Sequence, residues 1–240
     1  MNIVIDTHTH TVSSGHAYST IQEIAREAAD KGLRAFAVTD HGPAVHGCPQ
    51  PIYFGNLRVV PDEIYGVKII RGVEANIISY DGEVDIPDAT LKKLDFVLAS
   101  FHDICIKPGS MEENTNAVMN ALKNPYIDAV AHPGNPAFQV DIEKVVRAAK
   151  HHGKLIEINN HSFVVRKGSE ANCREFALKC KQLEVPVVCG SDAHMSFDVG
   201  RFDRVSKLLE EVGMPEELVL NTSMEKFEAY LKLKSQRISS

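Results

Sequence analysis

Histidines in this sequence follow directly after a short apolar run near the amino terminus. The run at 3–5 predicts a buried strand, and the alternation of side chains along an extended chain places His8 and His10 on the same side at its carboxyl end. Two imidazoles held side by side form half of a typical transition-metal site. A histidine pair this close to a terminus can also be incidental, and the pattern along the rest of the chain distinguishes the two interpretations.

The same pattern, an apolar run followed by a histidine or a carboxylate, recurs along the whole chain. The residues at the carboxyl ends of these runs are His8, His10, His41, Glu74, His102, His132, Asp192 and His194, and His16 lies in the first loop. Any one of them alone is an ordinary polar residue at a strand end. Together they indicate a metal site, because burying so many titratable groups around one mouth without a cation would cost several kcal/mol.

The ligand types narrow the choice of ion. Seven imidazoles and two carboxylates suit zinc, manganese or iron, whereas calcium prefers oxygen ligands throughout. Nine ligands exceed the needs of one tetrahedral ion. With about three protein ligands per catalytic metal and one shared carboxylate, they suffice for three ions.

Apolar runs and amphipathic segments alternate along the chain, and these elements would position the ligands. Buried strands are predicted at 3–5, 35–38, 67–73, 96–99, 129–131, 155–158 and 185–189. A capping box formed by Thr20 and Glu23 predicts the start of the first helix. Helices are predicted over about 21–29, 112–123, 140–149, 169–183, 205–212 and 225–234. Residues 43–61, rich in proline, glycine and aromatic side chains, predict a long loop or lid.

This alternation, with short connections and no break in composition, predicts a single α/β domain over residues 1–240. An open doubly wound sheet and a closed barrel both fit the alternation. The polar residues favour a TIM-like barrel, because in that fold the carboxyl ends of many strands converge on one active site.

Composition argues against several classes of partner. The net charge of −6 over 240 residues disfavours a nucleic-acid clamp or a membrane-surface protein, which usually present a basic face. No apolar run approaches the roughly 20 residues of a membrane span, and no signal peptide is recognisable at the start. Five cysteines without a Cys-x-x-Cys pair disfavour a disulfide scaffold. We expect a cytoplasmic protein with neither a nucleic-acid nor a membrane partner, and its oligomeric state stays open.

Six short motifs, taken in order, resemble those of the PHP (polymerase and histidinol phosphatase) superfamily. They are Asp-Thr-His-Thr-His at 6–10, Thr-Asp-His-Gly at 39–42, Gly-Val-Glu at 72–74, Ser-Phe-His at 100–102, His-Pro-Gly-Asn-Pro at 132–136 and Gly-Ser-Asp-Ala-His at 190–194. Within the superfamily, the chain resembles the YcdX-type phosphatases at 16–19, 74–76, 81–83, 157–160 and 166–170. The resemblance covers nearly the whole chain and implies a distorted TIM-like (β/α)7 barrel.

The resemblance also implies a trinuclear zinc site, with manganese or iron(II) as alternatives. One ion would be held by His8, His10, Glu74 and Asp192. A second would be held by Glu74, His102 and His132, so that the glutamate is shared, and the third by His16, His41 and His194.

The resemblance implies hydrolysis of a small phosphomonoester. In such a reaction, water shared by two ions is acidic enough to act as the nucleophile at neutral pH. Arg166, with Lys167 just before a helix that starts at Ser169, is the best candidate to bind the phosphoryl group. Asp40 is expected to orient His41 or to relay a proton. Two alternatives are an amidohydrolase-like hydrolase of C–N or C–O bonds and a metal-binding module without catalytic activity.

Overall fold

Seven parallel strands form a sheet that curves into a nearly closed barrel in this computed structural model, which describes residues 1–239. The strands in chain order are β1 (Ile5–Thr9), β2 (Ala35–Val38), β3 (Glu63–Ile64), β4 (Val67–Asn76), β5 (Phe96–Ser100), β6 (Ala129–Val130), β7 (Leu155–Asn159) and β8 (Val187–Gly190). The parallel strands lie in the order β1-β2-β4-β5-β6-β7-β8, and the short β3 pairs antiparallel with the start of β4.

Backbone hydrogen bonds join the first and last strands. The His10 N–H donates to the Ala193 carbonyl at 2.9 Å, and the Asp192 N–H donates to the His8 carbonyl at 2.9 Å. These bonds bring the two edges of the sheet together just beyond the ends of β1 and β8. The prediction of a distorted TIM-like (β/α)7 barrel is confirmed.

Helices connect the strands and surround the barrel. They are α1 (Ile21–Asp30), α2 (Pro51–Asn56), α3 (Asp88–Leu91), α4 (Met111–Ala121), α5 (Ile142–His152), α6 (Ser162–Val165), α7 (Ser169–Leu183), α8 (Asp203–Glu211) and α9 (Met224–Ser239). The predicted capping box starts α1, since the Glu23 N–H donates to Thr20 Oγ1 at 3.3 Å and the Thr20 N–H to the Glu23 carboxylate at 2.7 Å. Over residues 1–239, none of the helices is long and apolar enough to cross a bilayer.

Two of the differences from the sequence predictions have a clear physical reason. β1 begins and ends later than predicted and buries polar side chains, which is possible because the Thr7 hydroxyl donates to the Cys189 carbonyl at 3.1 Å. The predicted loop at 43–61 contains the short helix α2. A helix can start there because Pro51 occupies the first turn, where the missing N–H costs no hydrogen bond.

The last helix covers the amino-terminal end of the barrel. Inside the sheet, small and branched side chains such as Ala37 and Leu98 pack with Phe227 and Tyr230 of α9. The Tyr230 hydroxyl donates to Asp128, just before β6, at 3.1 Å, and Lys234 Nζ donates to the same carboxylate at 2.6 Å. The carboxyl ends of the strands lie at the opposite end of the barrel, where the predicted site residues are found.

Candidate metal centre

The nine predicted ligands all lie at the carboxyl-terminal end of the barrel. Two of them lie within strands, and the others follow a strand end or belong to the first loop. His8 lies in β1 and Glu74 in β4, while His10, His16, His41, His102, His132, Asp192 and His194 lie in the segments after β1, β2, β5, β6 and β8. The structure therefore brings these distant parts of the sequence to one place, as parallel strands in a barrel must.

Glu74 occupies the centre of the group. Its carboxylate is fully buried, and its oxygens lie 2.7 Å from His132 Nε2 and 2.8 Å from His41 Nδ1. The Nε2 atoms of His8, His10 and His102 lie 3.3, 3.5 and 3.5 Å from it. One carboxylate thus faces five imidazoles.

Asp192 and His194 complete the group on the side of β8. Asp192 Oδ1 lies 3.2 Å from His10 Nε2 and 3.6 Å from His8 Nε2. His194 Nε2 lies 3.1 Å from His16 Nε2, and the ring centroids of His194 and His10 are 4.4 Å apart. His16 therefore joins the cluster through His194.

Hydrogen bonds on the outer side of the cluster assign the ring protons of two predicted ligands. His8 Nδ1 lies 2.7 Å from Glu157 Oε1, and His102 Nδ1 lies 2.7 Å from Asn76 Oδ1. Both oxygens accept, so each Nδ1 carries the proton and donates it. In the neutral form of each ring, Nε2 therefore has the lone pair, and it faces the interior of the cluster.

The same reasoning assigns two further imidazoles. His194 Nδ1 donates to the Asp192 carbonyl at 2.9 Å. The Ser14 hydroxyl gives its proton to Asp40 at 2.6 Å, so Ser14 Oγ accepts from His10 Nδ1, which lies 3.2 Å away. In these rings too, Nε2 is the nitrogen with a lone pair.

The convergence of these lone pairs fits a bound cation. His8 Nε2 and His10 Nε2 face each other at 3.0 Å, and two lone pairs in this position repel each other unless a proton or a metal ion lies beside both. Nitrogen ligands at about 2.0–2.1 Å from a tetrahedral zinc lie about 3.3–3.4 Å apart, close to this separation. Two more buried atoms, Glu74 Oε2 and His41 Nδ1, form no hydrogen bond within residues 1–239, although they lie 2.8 Å from each other. Both are potential metal ligands.

Among residues 1–239, three groups of side chains have possible ligand atoms near enough to share an ion. They are His8 with His10 and Glu74, His10 with His41 and His194, and His41 with Glu74 and His102. The first group contains three of the four residues that the resemblance assigned to one ion, whereas His41 approaches Glu74 as well as His194. An imidazole nitrogen has one lone pair and binds one ion, but a carboxylate has two oxygens and can bridge ions. Glu74 can therefore be shared, and the division of the other ligands among ions stays a prediction.

The electrostatics of the cluster favour ionised Glu74 and Asp192 carboxylates, and burial lowers the pKa of His10, His16, His102 and His132. Burial opposes ionisation of Glu74, but the surrounding imidazoles, led by His41, hold its pKa well below the usual value. Burial lowers the pKa of His102 to about 3. His8 is the exception, because burial opposes its protonation but three neighbouring carboxylates outweigh burial and hold its pKa well above the usual value. A proton on His8 therefore competes directly with a metal ion.

Cation binding is expected to release about one proton near neutral pH, because a protonated His8 must become neutral before it can ligate an ion. Zn²⁺ affinity should accordingly fall as the pH is lowered. Calorimetric titration of the metal-free protein in buffers of different ionisation enthalpy measures the number of protons released. A Zn²⁺ affinity that is independent of pH, without proton release, would contradict this prediction.

Glu157 is a site residue that the sequence analysis did not place in the site. Besides its bond to His8, it accepts the His132 N–H at 2.7 Å. His132 has a φ of +34° and Asp192 a φ of +56°, so two predicted ligands hold the strained left-handed backbone that is frequent at functional sites. A signal was available in the sequence, because an acidic residue inside the apolar run 155–158 must be buried and needs partners.

Asp40 is fully buried and lies behind the cluster. Its carboxylate accepts hydrogen bonds from Thr11, Ser14 and Tyr53. Through the Ser14 hydroxyl it is connected to the His10 ring and to the backbone N–H of His41. The catalytic role of Asp40 stays a prediction. Its side-chain hydrogen bonds reach the cluster through Ser14, at the His10 ring.

Arg166 lies at the mouth of the site. Its Nη1 lies 3.4 Å from Asp192 Oδ2 and donates to Ser162 Oγ at 3.1 Å. Together with Lys167 and His102, it lines a cavity of about 420 Å³ that adjoins the cluster. A guanidinium group in this position can contact both an anion in the cavity and the Asp192 carboxylate.

This chain is similar in sequence to proteins named as phosphatases. The PHP domain model matches residues 6–161. A probable phosphatase from Acetivibrio thermocellus is 66% identical over 238 residues, with 99% of each chain covered. A probable phosphatase from Caldanaerobacter subterraneus is 56% identical over 240 residues, which cover 99% of this chain and 94% of that protein.

Solved structures with little sequence identity share the fold. The histidinol phosphate phosphatase of Lactococcus lactis, solved with zinc, L-histidinol and phosphate, has a TM-score of 0.63 at 17% identity and covers 90% of this chain and 95% of its own. A chain from an archaeal ribonuclease P solved with mature tRNA has a TM-score of 0.62 at 15% identity and covers 98% of this chain and 93% of its own. The fold, the motifs and the sequence matches together show that the chain belongs to the PHP domain family.

Proposed function

We propose that this protein is a metal-dependent phosphatase that hydrolyses a small phosphomonoester at a site for three divalent cations, with zinc as the preferred ion. The observation that carries the proposal is the convergence of Nε2 lone pairs on one another and on the Glu74 carboxylate. Imidazole and carboxylate ligands in this arrangement suit zinc, and the three overlapping ligand groups support a multinuclear site. The names of the relatives support the reaction, and the zinc and phosphate in the Lactococcus lactis structure support the ion and the group that is bound.

The residues of the chain would hold the ions and the phosphoryl group in a fixed geometry. When bound, the cations would supply positive charge beside the phosphoryl oxygens and lower the pKa of a water nucleophile. Glu157 and Asn76 hold the Nδ1 protons of two ligands, so the Nε2 atoms stay directed at the cluster. Arg166 can bind phosphoryl oxygens through charge-assisted hydrogen bonds at the mouth.

The cavity beside the cluster supports a small substrate. Its volume of about 420 Å³ is at the lower end of the range for small-molecule sites. His102 and Arg166 connect the cavity to the predicted ligands, and Lys167 adds a second positive charge. A phosphoryl group bound at Arg166 would leave the rest of a small ester within this cavity.

Metal content and activity of freshly purified protein test the proposed function. We expect elemental analysis to find about three zinc, manganese or iron ions per chain, and p-nitrophenyl phosphate to be hydrolysed. Chelation should abolish hydrolysis, and the removed metal should restore it. Hydrolysis of amides or lactones but not of phosphoesters would favour an amidohydrolase-like enzyme, whereas a fully loaded protein without any activity would favour a metal-binding module.

Arg166→Met is expected to raise the KM for p-nitrophenyl phosphate by about 10- to 100-fold and to weaken inhibition by inorganic phosphate. A hydrogen bond to a charged group contributes about 1.5–3 kcal/mol, which corresponds to a factor of this size. Steady-state kinetics measures both effects. Arg174→Met is the matched control, because Arg174 pairs with Glu211 on an outer helix, and an unchanged KM in Arg166→Met would contradict the assigned role.

A further inference from the structure

A tyrosine outside the metal cluster bonds to the network that supports it. Tyr53 lies on α2, in the segment predicted to be a loop, and its hydroxyl donates to Asp40 Oδ2 at 2.7 Å. The same carboxylate accepts the Thr11 hydroxyl at 2.8 Å and the Thr11 N–H at 2.7 Å. Asp40 therefore connects α2 to the chain that follows β1 and carries the first ligands.

Ser14 transmits the position of Asp40 to the ligands. Its hydroxyl proton goes to Asp40 Oδ1 at 2.6 Å, which leaves its oxygen lone pairs free to accept. They accept from His10 Nδ1 and from the His41 N–H, each at 3.2 Å. If Ser14 donated to His10 instead, the ring proton would move to Nε2, the nitrogen that faces His8. Asp40 thereby selects the tautomer of His10 whose lone pair can bind a cation.

The Tyr53 hydroxyl keeps Asp40 in this role. Together with Thr11 it occupies Oδ2, so Oδ1 stays directed at Ser14. The Tyr53 ring packs edge-to-face against Phe54, with centroids 5.1 Å apart, and Phe54 is buried in the core. The hydroxyl therefore reaches Asp40 only while α2 is docked on the barrel.

We propose that Tyr53 is a positioning residue that acts through Asp40 and Ser14 to fix the His10 imidazole, and that it couples the docking of α2 to cation binding. The proposal rests on the proposed function only in requiring that the cluster binds a divalent cation. Coupling between two sites is reciprocal, so a bound cation also holds α2 more tightly in place.

The Zn²⁺ affinity of full-length Tyr53→Phe protein tests the proposal. The variant keeps the ring and loses the hydroxyl, and we expect competition with a chromophoric chelator to show an affinity about 10-fold lower, a typical effect of removing groups that support metal ligands. Tyr80→Phe is the matched control, because the Tyr80 hydroxyl donates to the Lys107 carbonyl at 3.0 Å on the exposed surface. Thermal melting of each variant verifies that it is folded.

Two further measurements distinguish an effect transmitted through Asp40 and Ser14 from a general loss of structure. Amides of α2 should exchange hydrogen more slowly after Zn²⁺ is added to the wild type, and Tyr53→Phe should lose this slowing. Ser14→Ala should also lower Zn²⁺ affinity, and adding Tyr53→Phe to it should cause little further loss, because both residues act along one path.

Equal Zn²⁺ affinities of Tyr53→Phe and Tyr80→Phe would overturn the proposal, and so would fully additive losses in the double variant. A wild-type chain that takes up no Zn²⁺ would contradict the proposed function together with this inference. Failure of the proposed function and failure of this inference alone are therefore distinguishable, because only the first includes loss of Zn²⁺ binding by the wild type.

Discussion

Glu74→Gln is expected to lower the rate of phosphomonoester hydrolysis by about 10³-fold or more and to release bound metal. Loss of residues that only support metal ligands already costs about 10- to 100-fold, and Glu74 is the carboxylate within 3.5 Å of five imidazoles. Glutamine has nearly the same shape but lacks the negative charge that balances the cations. Turnover of p-nitrophenyl phosphate and elemental analysis measure the two effects.

The matched control for this substitution is Glu112→Gln, in the exposed first turn of α4. It removes the same charge far from the cluster and should keep full activity and metal content. The metal-free Glu74→Gln protein should still fold, because glutamine preserves the packing and the neighbouring imidazoles can become neutral instead of remaining as unpaired buried charges. Wild-type turnover with full metal content in Glu74→Gln would contradict the central place of this residue.

His132→Ala is expected to lower turnover by more than about 100-fold while leaving the fold largely intact. The substitution removes the imidazole that lies 2.7 Å from Glu74, but the backbone N–H that donates to Glu157 remains. The left-handed backbone at this position is thus still held by its hydrogen bond. Steady-state kinetics and thermal melting, measured on the same preparation, separate loss of function from loss of structure.

A histidine on the exterior provides the comparison for His132→Ala. His151 is exposed on α5, and His151→Ala should leave turnover and melting temperature close to those of the wild type. An unchanged rate in His132→Ala would count against the assigned site. A large drop in melting temperature would assign the residue a structural role instead.

Local patterns were sufficient to predict the elements that carry the ligands. Each parallel strand was predicted from an apolar run, and α7 has the predicted bounds of 169–183. The capping box at Thr20 and Glu23 depends on residues three apart, so it is encoded locally. The nine candidate ligands were found for the same reason, since each lies at the carboxyl end of a predicted strand or in the loop that follows it.

Groups that support the ligands were missed because their partners lie far away in the sequence. The bond between His8 and Glu157 joins residues 149 positions apart, and the bond between Asn76 and His102 joins residues 26 positions apart. Glutamate and asparagine occur in many roles, so their types alone do not mark them as partners of a ligand. The hydrogen bonds that join Asp40 to the His10 ring through Ser14 were not predicted for the same reason.

The sequence by itself determined the fold class, the residue types at the strand ends and the kind of ion that they suit, because strand periodicity and ligand chemistry are properties of short segments. Closure of the barrel decided which candidate ligands face each other, where their ring protons lie and how α2 contacts the cluster. These features depend on the relative positions of strands and loops that only long-range packing brings together.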